Sequence, residues 1–441
     1  MRLARSILLL CSFLLFQAAC GSGKGGSATP GTGGHDAGVA GVGAGGQSGG
    51  AGTALGGGGT SGGGASSQDG GGDPATDASG MPGGGNQGFA YAVNQDGTTV
   101  SQLSIGSNGA LAALTPASVP CEMRANSLAV DPSGKYLYVV NERGATSASY
   151  GSISQYTIGA DGALAPLTPA TIATDYGPSD IAVHPSGKYA YAITYYYPLG
   201  GMKVRSVAQY TIGADGTLTP MAPGAVAITG SNPQFIAIHP SGNFLYVSDG
   251  SGVVDQYTID ATTGALSAMT PATAPFPFPT AGHTAFAITV HPSGKWAYVT
   301  DYYGGIAEYT VDATSGALSP LAQTKAVGTM FQCAAWIAVD PSGKYAYTAN
   351  CASTSEAISQ FTVGADGTLA AMTPASVAGA SAGTNIQVDP SGTHLYMTSG
   401  ESGSGNVVLQ FSISANGALA PMTPATVTVG GSPNALVLVK R

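Results

Sequence analysis

The chain reads as an all-β protein in which one four-stranded unit is used seven times and closed into a ring. Three observations predict this. A short phrase recurs at near-constant spacing, strand and turn signals follow it in fixed order, and an incomplete unit stands at each end of the repeat region.

The phrase is Pro-Ser-Gly, beginning at Pro132, Pro185, Pro240, Pro292, Pro341 and Pro390, with spacings of 53, 55, 52, 49 and 49 residues. Each copy follows an apolar alternation such as Ile181-Ala182-Val183 or Ile236-Ala237-Ile238. Proline fixes φ and glycine accepts positive φ, so the phrase is a tight turn joining a first strand to a second. The second strand is aromatic: KYLYVV, KYAYAI, NFLYVS, KWAYVT, KYAYTA and THLYMT. Tyr136, Tyr189, Phe244, Trp296 and Tyr345 at its start are read as blade-packing residues.

A third strand carries Gln or Glu before an aromatic residue: ISQYTI, VAQYTI, VDQYTI, IAEYTV, ISQFTV and VLQFSI. A hairpin turn follows, at Asp161-Gly162, Asp215-Gly216, Thr263-Gly264, Ser315-Gly316, Asp366-Gly367 and Asn416-Gly417. A fourth strand of the form ALAPL leads on. Four antiparallel strands in about 50 residues make a propeller blade. Residues 89–119 supply second, third and fourth strands but no first, and the C-terminal SPNALVLV supplies a first strand alone. The sequence therefore predicts a seven-bladed β-propeller over residues 89–441, its C-terminal strand completing the N-terminal blade and removing open sheet edges.

Composition fits this plan and excludes others. Only 8% of residues are charged, against about a quarter in an ordinary globular chain. A coiled coil, a highly charged disordered protein and a basic nucleic-acid binder are excluded. The net charge of −9 repels phosphate backbones. Of the 68 glycines, 30 fall within residues 21–88. That segment has almost no large apolar side chain to offset its backbone entropy and reads as a tether. A Gly/Ser coil of this length spans about 40–50 Å.

Residues 1–20 have Arg2 and Arg5 before an apolar run and end Ala18-Ala19-Cys20, the pattern of a signal peptide. The segment resembles a bacterial lipoprotein signal, although Gln17 stands where that signal usually has leucine. The resemblance implies export, lipidation of Cys20 and, with Gly21 following it, an outer-membrane lipoprotein facing periplasm or exterior.

The repeats resemble the seven-bladed lactonase-like propellers, the family of 6-phosphogluconolactonase and the fungal muconate cycloisomerase, and the related YVTN-type surface repeats. The resemblance rests on P-x-x-I-A-V-[HD]-P-S-G-K-Y-x-Y, then Q-[YF]-[TS]-[IV] and D-G-x-L, and spans Phe89 to Val439. It implies a site where entry loops to first strands and exit loops from second strands converge around the central channel. Lactonase-like enzymes commonly place histidine six residues before the turn proline. Here that place holds Asn126, Ser179, Gln234, Phe286, Ala335 and Thr384, with Asn434 in the closing strand. His283 comes nearest. Lactone hydrolysis needs a base for water and a cation for the oxyanion, and His283, Arg124 and Glu142 are the catalytic candidates.

The same loops offer a ligand-binding rim: Asn126, Arg143, Tyr176, Asp180, Tyr196, Arg205, Gln234, Asp249, Asp301, Tyr302, Asn350 and Glu401. Tyrosines 195–197 and 302–303 suit stacking on sugars or ligand rings. His184, His239 and His291 precede the turn proline where Asp131, Asp340 and Asp389 stand elsewhere, so they are expected to bond the turn backbone. Neither a metal set nor a phosphate loop is present, and no cofactor is expected. If Val339 pairs with Tyr345, the same register sets Cys333 opposite Cys351, and an oxidising compartment makes them a disulfide. Cys121 is left as an unpaired thiol.

These features favour an exported, lipid-anchored monomer whose loop face binds a small molecule or an envelope protein. Its only membrane contact is the N-terminal lipid. A lactone hydrolase acting outside the cytoplasm is the alternative, and a structural surface repeat protein the third reading.

Overall fold

The computed structural model describes residues 88–143, 151–196, 204–278, 284–325, 334–351, 357–380, 383–400 and 406–440. They form seven four-stranded antiparallel sheets. Blade 1 combines Gly88–Asn94, Thr99–Ile105 and Leu111–Pro120 with the C-terminal Pro433–Lys440. Blades 2 to 7 begin at inner strands Ala125–Val130, Gly177–Val183, Pro233–Ile238, Ala285–Val290, Ala334–Val339 and Gly383–Val388. Each inner strand contacts its two neighbours, and Pro433–Lys440 stands between the first and last of them, which closes the ring. Gly88 already pairs with Lys440 and Ile105, so the propeller starts one residue before the expected Phe89. The expected signal peptide and tether, with Cys20, lie outside the described residues.

The sequence repeats become joints between blades. The second-strand tyrosine of each blade is fully buried and donates its hydroxyl to the turn glycine carbonyl of the next. The bonds run Tyr91 to Gly162, Tyr138 to Gly216, Tyr191 to Gly264 and Tyr246 to Gly316. They continue Tyr298 to Gly367, Tyr347 to Gly417 and, across the closing seam, Tyr396 to Gly109. All seven lengths lie between 2.6 and 2.8 Å. Burial raises the phenol pKa values of Tyr138, Tyr191, Tyr246, Tyr298, Tyr347 and Tyr396, so these groups remain donors.

The turn must be glycine for two reasons. Gly162 has φ of 82°, and a Cβ there would lie 2.2 Å from the Phe89 ring. Tyr136, Tyr189, Phe244, Trp296 and Tyr345 press on the corresponding glycines of the next blade, and His394 does so at the closing seam.

The third-strand glutamine is a second joint. Gln102 donates from Nε2 to the Pro116 carbonyl of its own blade and accepts at Oε1 from Leu164 N of the next. Gln155, Gln209, Gln256, Gln360 and Gln410 repeat both bonds. Blade 5 differs: Glu308 occupies this place, fully buried, and its fourth strand runs LSPLAQTK, with no proline where the other blades offer a proline carbonyl to the glutamine. The three turn histidines do more than expected. His184 takes Ser186 N at Nδ1, as the sequence implied, and its Nε2 reaches Gly242 O of the next blade at 2.8 Å. His239 and His291 do the same with Gly294 and Gly343.

The hairpin register is shifted by one from the expectation. Val339 pairs with Ala346, not Tyr345, because Asp340 N closes the turn on Tyr345 O. A bulge between Ala334 and Trp336 then absorbs the difference and sets Ala334 opposite Asn350. Cys351 follows directly and is disulfide-bonded, while Cys121 is free. Cys333, its expected partner, lies outside the described residues.

The closing joint is open to a direct test. Tyr396→Phe leaves the Gly109 carbonyl buried without its donor, and the expected cost is about 1–3 kcal/mol. Urea denaturation should show a lower midpoint with an unchanged m-value; an unaltered midpoint would mean the bond contributes nothing.

Candidate ligand site at the loop face

Every inner strand carries a bulge near its entry. In blade 2 it lies between Ala125 and Ser127, and in blade 3 between Pro178 and Asp180. The place six residues before the turn proline is therefore a bulge, which re-aims its side chain. Asn126 occupies it in blade 2. Its Oδ1 accepts from Gln95 Nε2 at 2.8 Å, and its carbonyl accepts from Asn434 Nδ2 at 2.7 Å.

A polar arc spreads from there over blades 7, 1 and 2. Arg124 Nη1 lies 3.2 Å from Glu142 Oε2, with both side chains partly exposed. The Arg124 carbonyl accepts from Glu142 N, and Met123 O from Arg143 N, so the entry and exit loops of blade 2 are stitched together. Ser432 donates to Asp96 through its hydroxyl and to Asn406 Oδ1 through its backbone N–H. Among the described residues, the non-glycine positions with positive φ are Thr98 (45°), Arg124 (57°), Asn406 (47°) and Ser432 (51°). All four belong to this arc. Strained backbone of this kind concentrates where a site is pre-shaped.

Blades 4 to 6 present a different surface. Phe235 meets Phe286 at a centroid distance of 4.9 Å and Trp336 at 4.6 Å, both edge-on. Phe235 and Trp336 belong to blades 4 and 6, so their side chains meet across the channel in front of blade 5. Phe286 continues to Tyr302 at 6.2 Å, and Tyr302 to Tyr303, which is 45% exposed. The mouth is thus polar and strained on one side and aromatic on the other.

Several expected rim residues instead brace their own blades. Asp249, Asp301 and Asn350 end their second strands and are fully buried. Asp249 accepts from the N–H groups of Ser231, Asn232 and Ser251; Asp301 accepts from Thr284 N; Asn350 donates to Ser359 Oγ. Asn94 and Asn141 do the same work in blades 1 and 2. These side chains point back into the blade, so they are corrected from rim to framework. Asp180 is also framework: its carboxylate takes Ser127 Oγ at 2.6 Å and Ile236 N at 2.9 Å, joining the inner strands of blades 2, 3 and 4.

The remaining candidates are dispersed. Gln234 donates to the Asn232 carbonyl, and Tyr176 accepts at its carbonyl from Thr174. Arg205 is half-buried on the third strand of blade 3, its Nε without a hydrogen-bond partner among the described residues. Tyr196 ends the second strand of blade 3, with its side chain outside the described set. His283 and Glu401 lie outside it altogether. The Cys121 thiol is pushed up to about 12 by burial and by Glu122, which disarms it as a nucleophile. Among the described residues no group of three His, Cys, Asp or Glu is placed to hold a metal ion. Gln95 and the Phe235–Trp336 contact were missed from sequence, and Asn434 was noted at the histidine place of the closing strand but not counted in the rim. The one available signal was the apolar substitution, Phe286, at a place that is polar in blades 1 to 4.

Two buried carboxylates are protonated at mildly acidic pH. Burial raises Asp180 to about 6, and Asp255 to about 6 with a further push from Asp249. Each folded value lies above the unfolded one near 4. Their contribution to stability is therefore full below pH 4 and is lost as pH rises through 6. Asp180→Asn should flatten this decline by an amount on the order of 1–3 kcal/mol between pH 4 and pH 7. Urea titrations at the two pH values check this; an unchanged slope would contradict the buried-acid assignment.

Comparison with known proteins agrees with this architecture. No curated protein matches the sequence. Among solved structures, a provisionally assigned 6-phosphogluconolactonase of Bacteroides fragilis superposes with a TM-score of 0.65 at 21% identity, over 83% of this chain and 100% of that one. The periplasmic gluconolactonase of Pseudomonas aeruginosa gives 0.64 at 19%, over 80% and 98%. A Lactobacillus plantarum protein gives 0.64 at 17%, over 81% and 100%. These likenesses show the fold. The family model "Lactonase, 7-bladed beta-propeller" matches residues 89–432, and the chain belongs to that family.

Proposed function

We propose that the protein binds a small lactone-class compound at the loop face of blades 7, 1 and 2. The observation that carries this reading is the convergence there of all four described positive-φ non-glycine residues with the Gln95–Asn126–Asn434 amide network. Such a surface offers fixed donors and acceptors to a polar ring. Family membership supports the ligand class.

Hydrolysis is a second reading, favoured by the Arg124–Glu142 pair. Glu142 takes a proton from water as its oxygen adds to the lactone carbonyl. Arg124 neutralises the tetrahedral oxyanion, and ring opening passes the proton to the departing alkoxide. Export and lipidation at Cys20 place this chemistry outside the cytoplasm in our reading, beyond the reach of a cytosolic sugar phosphate.

Calorimetric titration of the full chain with a panel of sugar and aliphatic lactones tests the proposal. Binding should weaken at least about 10-fold in Arg124→Gly, which keeps the positive φ and removes the guanidinium. Failure to bind any lactone would overturn the reading. Turnover lost in Glu142→Gln would establish the hydrolase; binding without turnover would leave a receptor. Cys20→Ser should abolish incorporation of labelled fatty acid and release the protein from membranes. Retained label would remove the anchor.

A further inference from the structure

We propose that the aromatic arc of blades 4 to 6 is a stacking platform for an uncharged, pyranose-like ring, so that the site selects neutral sugars over phosphorylated ones. The inference rests on the reading of this face as the ligand site and deepens it. Phe235, Phe286, Trp336, Tyr302 and Tyr303 form one chain of ring contacts that runs from the channel to the exposed rim. Phe235, Phe286, Trp336 and Tyr302 are half-buried rather than sealed, and Tyr303 is exposed. Channel packing alone would not carry the chain outward to Tyr303.

The chemistry of the two arcs is complementary to a sugar. A pyranose has an apolar face of C–H groups and an edge of hydroxyls. The rings supply a surface for the first. The amides of Asn126, Asn434 and Gln95 supply donors and acceptors for the second on the other side of the mouth.

Charge sets the selectivity. The charged side chains described at the loop end of blades 4 to 6 are the buried carboxylates of Asp249, Asp255 and Asp301. The guanidinium groups described at the mouth belong to Arg124, Arg143 and Arg205, on blades 2 and 3. Lys295 and Lys344 follow Pro-Ser-Gly turns at the opposite end. Lys325 ends the fourth strand of blade 5 opposite Gly305 at this same end, with its side chain outside the described residues. The described charge beside a ring stacked at the aromatic arc is that of the three carboxylates, which repels a phosphate.

The chain has two tryptophans, and Trp296 sits in a turn-end contact with His291 and Gly367. In full-length Trp296→Phe, emission therefore reports Trp336 alone. Methyl β-glucopyranoside should change this emission saturably. Glucose 6-phosphate should bind at least about 10-fold more weakly, and Tyr303→Ala should weaken the neutral sugar by about 10-fold. Tyr303 is exposed, so that variant should fold normally, as its unchanged urea midpoint will show. No saturable change with the glucoside, or equal binding of the phosphate ester, would overturn the proposal. Lactone binding that leaves Trp336 emission unmoved and ignores Tyr303→Ala would sink the platform while sparing the lactone site. Glucoside binding with no lactone binding would do the reverse.

Discussion

A single blade of this protein would bury a tyrosine hydroxyl with nothing to receive its proton, and would leave a turn glycine carbonyl without a donor. Only the next blade supplies each missing partner. Seven such bonds, closed by Tyr396 on Gly109, make every blade a condition for its neighbours. An unmet buried polar group costs about 1–3 kcal/mol, so a gap at any one seam is felt locally. The glutamine joint repeats this logic one strand further out at six seams, with the leucine N–H that opens the facing fourth strand as its donor. Sparse charge follows from the same constraint, since the faces that meet are tyrosine, glycine, alanine and valine.

Because the repeated joints lie in strands and turns, the loops at the other end do not carry that repeated chemistry, although single bonds such as Asn434 to Asn126 still cross a seam there. They have diverged into a polar arc on blades 7, 1 and 2 and an aromatic arc on blades 4 to 6. Blade 5 is also where the joint itself departs, with Glu308 in the glutamine place and no proline where the other blades receive the glutamine. The mouth's asymmetry therefore extends into the framework behind it.

The repeat unit, the blade count and the closing strand were legible in the sequence because each is written in local turn and strand chemistry. The bulge was not. It is one extra residue in an inner strand, invisible to period-two alternation, and it decides which way Asn126 and Phe286 point. Asp249, Asp301 and Asn350 misled because a polar residue at a strand end looks the same whether it faces solvent or the backbone beside it. Their regular recurrence at one place, matched by Asn94 and Asn141, was the clue that they belong to the framework. The Phe235–Trp336 contact joins blades that are not neighbours, and no spacing along the chain encodes it.

Amide hydrogen exchange at the glutamine joints tests the interlocking of the ring most directly. The N–H groups of Leu111, Leu164, Leu218, Leu266, Leu318 and Leu419 each donate across one seam. If every blade depends on its neighbours, all six exchange only through global unfolding and share its free energy, Leu111 at the closing seam included. Exchange of Leu111 about 100-fold faster than the other five would show that the ring opens there on its own, and would contradict the account.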